Sequence, residues 1–73
     1  MSKHREVEID REPVELFKIL KFEGLCESGG EAKSMIEQGQ VSLNGKPESQ
    51  KRKKIMSGDV IKYAGQTLHI KLK

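Results

Sequence analysis

The hydrophobic spacing of this chain changes once, at Gly39, and that change limits the fold more than any other feature. Before it, Leu16, Phe17 and Leu20 and then Ala32, Met35 and Ile36 recur at helical intervals. After it, Val41 and Leu43, and later Leu68, Ile70 and Leu72, recur at every second residue. A period near 3.6 puts one stripe of a helix against a core, and a period of 2 puts one face of a strand there. Helices grouped before strands, rather than alternating with them, make an α+β architecture. With 73 residues there is room for one domain with one small core.

The breakpoints follow from local chemistry. Pro13 is tolerated in a first helical turn, so a first helix is expected from about Pro13 to Glu23, with Gly24 as its stop and Leu16, Phe17 and Leu20 as its buried face. Leu25 and Cys26 make a short apolar link. Ser28 followed three residues later by Glu31 is a capping box, so a second helix is expected from about Gly29 to Gln38, stopped by Gly39. A link this brief folds the two helices back as a hairpin. Asn44-Gly45 marks a two-residue β-turn, and Pro47 confines the returning strand to an edge or loop. Further turns are expected at Ser57-Gly58-Asp59 and Ala64-Gly65-Gln66. Val7 and Ile9 alternate with acidic residues as a short strand, expected to close the sheet beside the strand around Ile70.

The stretch SGGEAK, residues 28 to 33, also resembles a phosphate loop. A nucleoside-triphosphate loop needs a longer glycine frame ending in Lys-Ser/Thr, and a dinucleotide fingerprint needs three spaced glycines after a strand. Neither is present. What remains is a helix start whose glycines, Gly29 and Gly30, leave backbone N–H groups uncovered, favourable for an RNA phosphate; close helix packing is the competing role for the same glycines.

Charge is unevenly divided. Residues 1 to 31 hold five Lys/Arg against eight Asp/Glu, a net −3, whereas residues 32 to 73 hold nine against three, a net +6. The run Lys51-Arg52-Lys53-Lys54 repels itself unless something negative lies against it. With Lys33 on the outer side of the second helix and Lys46 beyond the Asn-Gly turn, it outlines a row suited to a phosphate backbone. Aromatic rings are few: Phe17, Phe22 and Tyr63, with Phe17 assigned to the core. A stacking platform for single strands is therefore not expected, and recognition through phosphates, sugar hydroxyls and shape points to folded RNA.

The lone Cys26 permits no internal disulfide and no cysteine-based zinc site, and suits a reducing compartment. It reads as a small apolar filler rather than a nucleophile, since nothing in the spacing links it to His4 or His69. His4 is expected in a frayed terminus and His69 on a solvated strand face. No apolar run approaches membrane-spanning length and no signal-peptide pattern is seen, so a cytoplasmic protein is expected, with no metal, no cofactor, no small-molecule substrate and no membrane partner.

The order Ser28-Gly29-Gly30-Glu31-Ala32-Lys33, Ile36, Gly39, Val41, Asn44-Gly45, basic arm, Gly58-Asp59, Val60 resembles the RNA-binding domain named after ribosomal protein S4, the alpha-L motif, and in particular its small free-standing bacterial members. The resemblance covers about residues 13 to 65. It implies that the second helix and the loop after it face RNA, with contacts from Ser28, Lys33 and the side of the helix near Gln38, then Lys46 and the arm Lys51, Arg52, Lys53 and Lys54. Many members carry arginine directly after the serine, where this chain has Gly29; the basic arm is its replacement. Val41, Leu43, Asn44 and Gly45 match as makers of the fold. The expectation is a non-catalytic, monomeric module that docks a basic face on structured RNA such as ribosomal or transfer RNA, in association with the ribosome. The alternatives are an adaptor whose basic face binds an acidic protein, and a small hydrolase or transferase using Cys26.

Overall fold

The computed structural model describes residues 3–73. Along the chain run β1 (Lys3–Ile9), β2 (Val14–Glu15), α1 (Leu16–Phe22), α2 (Gly29–Glu37), β3 (Ser42–Leu43), β4 (Lys46–Pro47), β5 (Lys54–Ile55), β6 (Val60–Tyr63) and β7 (Gln66–Leu72). Five strands form one sheet in the order β1-β7-β6-β3-β4, and β2 pairs with β5 as a separate ribbon. Every pairing is antiparallel except that of β1 with β7. In that parallel pair Val7 stands opposite Ile70, so the two segments expected to lie side by side do so.

The two helices pack on one face of the sheet. Val7 and Ile9 from β1, Leu16, Ile19 and Leu20 from α1, Ala32 and Ile36 from α2, and Val41, Ile55, Ile61, Leu68 and Ile70 from later segments share one buried cluster. The helix hairpin, the Asn-Gly turn and Pro47 on the edge strand β4 agree with the sequence reading. Asn44 and Gly45 both have positive φ, 51° and 86°. That geometry matches the twist of the flanking strands and is costly for most side chains. Asn44 adds a second tie: its Oδ1 accepts from the Val60 amide at 2.8 Å and its Nδ2 donates to Asp59 at 3.1 Å. The two turn motifs thereby hold each other.

Helix α1 departs from the expectation. It begins at Leu16, three residues later than Pro13, because Val14 and Glu15 are extended and pair with Ile55 and Lys54. Its buried face is Leu16, Ile19 and Leu20, with Phe17 only partly covered. Helix α2 ends at Glu37, with Gln38 as its C-cap. The Glu31 carboxylate reaches back one residue further than a simple capping box, accepting from the Glu27 amide at 3.3 Å.

Candidate nucleic-acid interface

The basic arm is anchored by its own backbone. A helix leaves its first amides without intrahelical partners, and Glu15, the N-cap of α1, offers no side-chain bond. The arm supplies what is missing: the Leu16 amide donates to the Lys53 carbonyl at 2.9 Å and the Phe17 amide to the Lys51 carbonyl at 3.2 Å. Beyond Lys53, Lys54 and Ile55 pair with β2, and Ile55 is fully buried. The arm is therefore pinned on both its hydrogen-bonding groups and its apolar end, while the side chains of Lys51, Arg52, Lys53 and Lys54 all remain exposed.

These cations meet others around Phe17. Lys33, from α2, places its Nζ 4.6 Å from the ring centroid, and Lys18 Nζ and the Arg52 guanidinium each lie 5.9 Å away. Glu15 partly neutralises the group, at 3.1 Å from Lys18 and 3.7 Å from Arg52. Glu37, on the outer side of α2, takes Lys51 at 3.1 Å. Exposed pairs of this kind contribute little to stability and are readily exchanged for another anion. Among the described residues, Lys53 and Lys54 have no carboxylate within ion-pair distance.

At the start of α2, Ser28 Oγ accepts from the Glu31 amide at 3.1 Å. Gly29 lies against the Phe17 ring, so that a Cβ placed on it would stand 3.6 Å from two ring carbons. The helix start, the arm and the ring thus share one side of the molecule.

Residues 7–71 match the S4 domain family. The chain belongs to that family. Among its relatives, the Escherichia coli protein YbcJ is 44% identical over 57 residues, covering 78% of this chain and 81% of YbcJ. The solution structure of YbcJ, described as an alpha-L motif involved in RNA binding, superposes with a TM-score of 0.71 at 39% identity, over 97% of this chain and 91% of that one. The Bacillus subtilis protein named "Probable ribosome maturation protein RlbA" is 32% identical over 59 residues, 81% of this chain and 83% of RlbA. A tyrosine–tRNA ligase of Ralstonia nicotianae is 34% identical over 61 residues, but these make up only 16% of the ligase. The alpha-L fold expected from the motif order is the fold found.

This S4 domain brings together most, though not all, of the residues singled out in the sequence. Ser28, Gly29, Lys33, Lys51 and Arg52 are linked through Phe17, α2 and the arm, and Gly30 stands exposed in the first turn of α2. Gln38 caps the far end of α2, its Nε2 donating to Ser34 Oγ at 2.9 Å. Lys46 is exposed on the edge strand β4, and no hydrogen bond or ion pair ties it to the Phe17 group among the described residues. Sequence reasoning missed Lys18 and placed Phe17 in the core. Phe17 is half-buried because the arm, not the sheet, lies over that side of α1. The helical count at residues 16 to 20 could not show it, since Phe17 and Ile19 flank the same apolar stripe.

The remaining reactive side chains lie elsewhere. Cys26 is buried, and burial pushes its thiol above the ordinary value near 9, against a weaker lowering by its hydrogen bond with the Tyr63 hydroxyl. Such a thiol is a packing group rather than a nucleophile. His4, expected to fray, belongs to β1, and its Nδ1 stands 3.0 Å from His69 Nε2 on the outer sheet face. Parallel pairing with β7 orders that end of the chain, a long-range effect invisible in local spacing. Among the described residues no three His, Cys, Asp or Glu side chains are grouped to hold a metal, and no helix is long and apolar enough to cross a membrane. A cleft of about 580 Å³ lies between β1 and α1, lined by Val7, Ile9, Val14 and Ile19 together with Glu8, Asp10 and Glu23.

Proposed function

We propose that this chain is a non-catalytic module that binds structured RNA, such as ribosomal or transfer RNA, through a basic face made by the start and outer side of α2 and the Lys51 to Lys54 arm. The observation that carries the reading is the capping of α1 by the Lys51 and Lys53 carbonyls. It turns a run of four cations from a solvated loop into a fixed row beside Lys33. Fixing charges before binding lowers the ordering cost of recognition. YbcJ and RlbA, whose names and descriptions refer to RNA binding and ribosome maturation, support the same direction.

On this reading Lys33, Lys51, Arg52, Lys53 and Lys54 neutralise phosphates, Ser28, Gly29 and Gly30 let the backbone of α2 approach one, and Gln38 and Lys46 extend the footprint at its two ends. The chain acts as one unit, as a monomer in the cytoplasm, and needs no cofactor. Affinity for a folded RNA measured over a series of salt concentrations tests it. Each phosphate neutralised steepens the fall by roughly one decade of affinity per decade of salt. The wild-type chain is expected to show a steep slope, and the variant with Lys51, Arg52, Lys53 and Lys54 all changed to Gln a shallow one. A flat wild-type response, or equal binding by that variant, would sink the proposal.

A further inference from the structure

We propose that Phe17 is a positioning residue of this interface: its ring gathers Lys33, Lys18 and Arg52, cations from three separate stretches of chain, into one cluster before RNA arrives, and thereby adds Lys18 to the groups that face phosphate. The inference rests on the RNA-binding reading and specifies how its charges are held.

An aromatic ring carries a negative face that attracts cations to within about 6 Å of its centroid. All three groups satisfy that distance, and Lys33, at 4.6 Å, is the nearest. Three like charges on one ring repel one another. Glu15, which touches both Lys18 and Arg52, offsets part of that repulsion and leaves the four charged groups with a net charge of +2. A polyanion removes the rest, so the cluster is poised to take phosphates.

The ring itself is not a stacking platform. Lys33 occupies its approach from α2, Gly29 lies against its edge, and the arm passes over the first turn of α1, where the Phe17 amide is bonded to Lys51. Phe17 acts through the cations. Lysine and arginine side chains give up rotamer freedom when they settle on phosphate. A ring that has already gathered them reduces that loss at the moment of binding.

Three variants and two measurements test this. Phe17→Leu keeps an apolar side chain and removes the π face, Phe17→Tyr keeps the face, and Lys18→Gln removes one charge. With unfractionated bacterial transfer RNA as the probe, Phe17→Leu is expected to bind roughly three- to tenfold more weakly at an unchanged salt slope, because the same phosphates are neutralised by less ordered cations. Phe17→Tyr is expected to match the wild type. Lys18→Gln is expected to lower the slope by roughly one. In the free protein, the side-chain methylene protons of Lys33 are expected to be shifted upfield by the ring and to lose that shift in Phe17→Leu. Wild-type affinity in Phe17→Leu, or equal losses in Phe17→Leu and Phe17→Tyr, overturns the positioning role. Absence of the upfield shift in the wild type overturns the cluster itself. Failure of the wild type to bind RNA at any salt removes the functional reading, and the proton shifts still report separately on the cluster.

Discussion

Helix α2 makes its own beginning, whereas helix α1 has its beginning made by a distant part of the chain. Ser28 closes the first turn of α2 through the Glu31 amide, a bond between residues three apart. The corresponding amides of α1, on Leu16 and Phe17, bond to the carbonyls of Lys53 and Lys51. The first arrangement is local and needs only the right side chain at the right spacing. The second depends on tertiary folding, and it does two things at once: it satisfies α1 and it immobilises the arm. In this protein the locally determined helix carries the glycines and Lys33, and the helix that is capped from afar fixes the position of the arm and its cations.

The strongest way to break the comparison is to remove the anchor of the arm. Ile55→Ala empties a fully buried site and is expected to cost about 3 kcal/mol in chemical denaturation. Hydrogen exchange of the Leu16 and Phe17 amides should accelerate more than that of the Glu31 amide, because only the former depend on the arm. Equal acceleration at all three would mean that the two helix starts are not independent. Ser28→Ala strikes the other side. It is expected to cost about 1 kcal/mol, to speed exchange at Glu31 and to leave Leu16 and Phe17 nearly unchanged, with Ser28→Asp restoring most of the loss. The smallest effect on stability comes from Glu37→Gln, which releases Lys51 from its exposed ion pair. Stability should move by less than about 0.5 kcal/mol. Affinity for RNA should rise about two- to threefold as an internal competitor for the cation is lost. A fall in affinity would show that Glu37 holds Lys51 in its binding position rather than competing for it.

Much of the fold was readable because its signals are short in range. The Asn44-Gly45 turn, the Ser28 to Glu31 cap, the stop at Gly39 and the alternation of Leu68 and Ile70 each lie within a few residues, and each appears where the spacing put it. The start of α1 was misplaced because Pro13 is acceptable in a first turn and nothing nearby reveals that Val14 and Glu15 have partners at Ile55 and Lys54. His4 was misread for the same reason, since its order comes from the parallel register with β7. At the candidate interface, the cation run and Lys33 could be named from composition and periodicity. Lys18 and Phe17 could not, because their role depends on which part of the chain crosses above α1.

By itself, then, the sequence determined the class of fold, the helical hairpin, the turns and the location of positive charge in the second half of the chain, all through contacts between near neighbours. Only the tertiary structure decided that the arm lies across the start of α1, that Glu15 and Glu37 temper its charge, and that one phenylalanine is ringed by three cations. Those outcomes depend mainly on contacts between residues distant in the chain, 14 positions apart for Glu37 and Lys51 and more than thirty for the arm and the start of α1, and a linear pattern carries no record of which distant groups will meet.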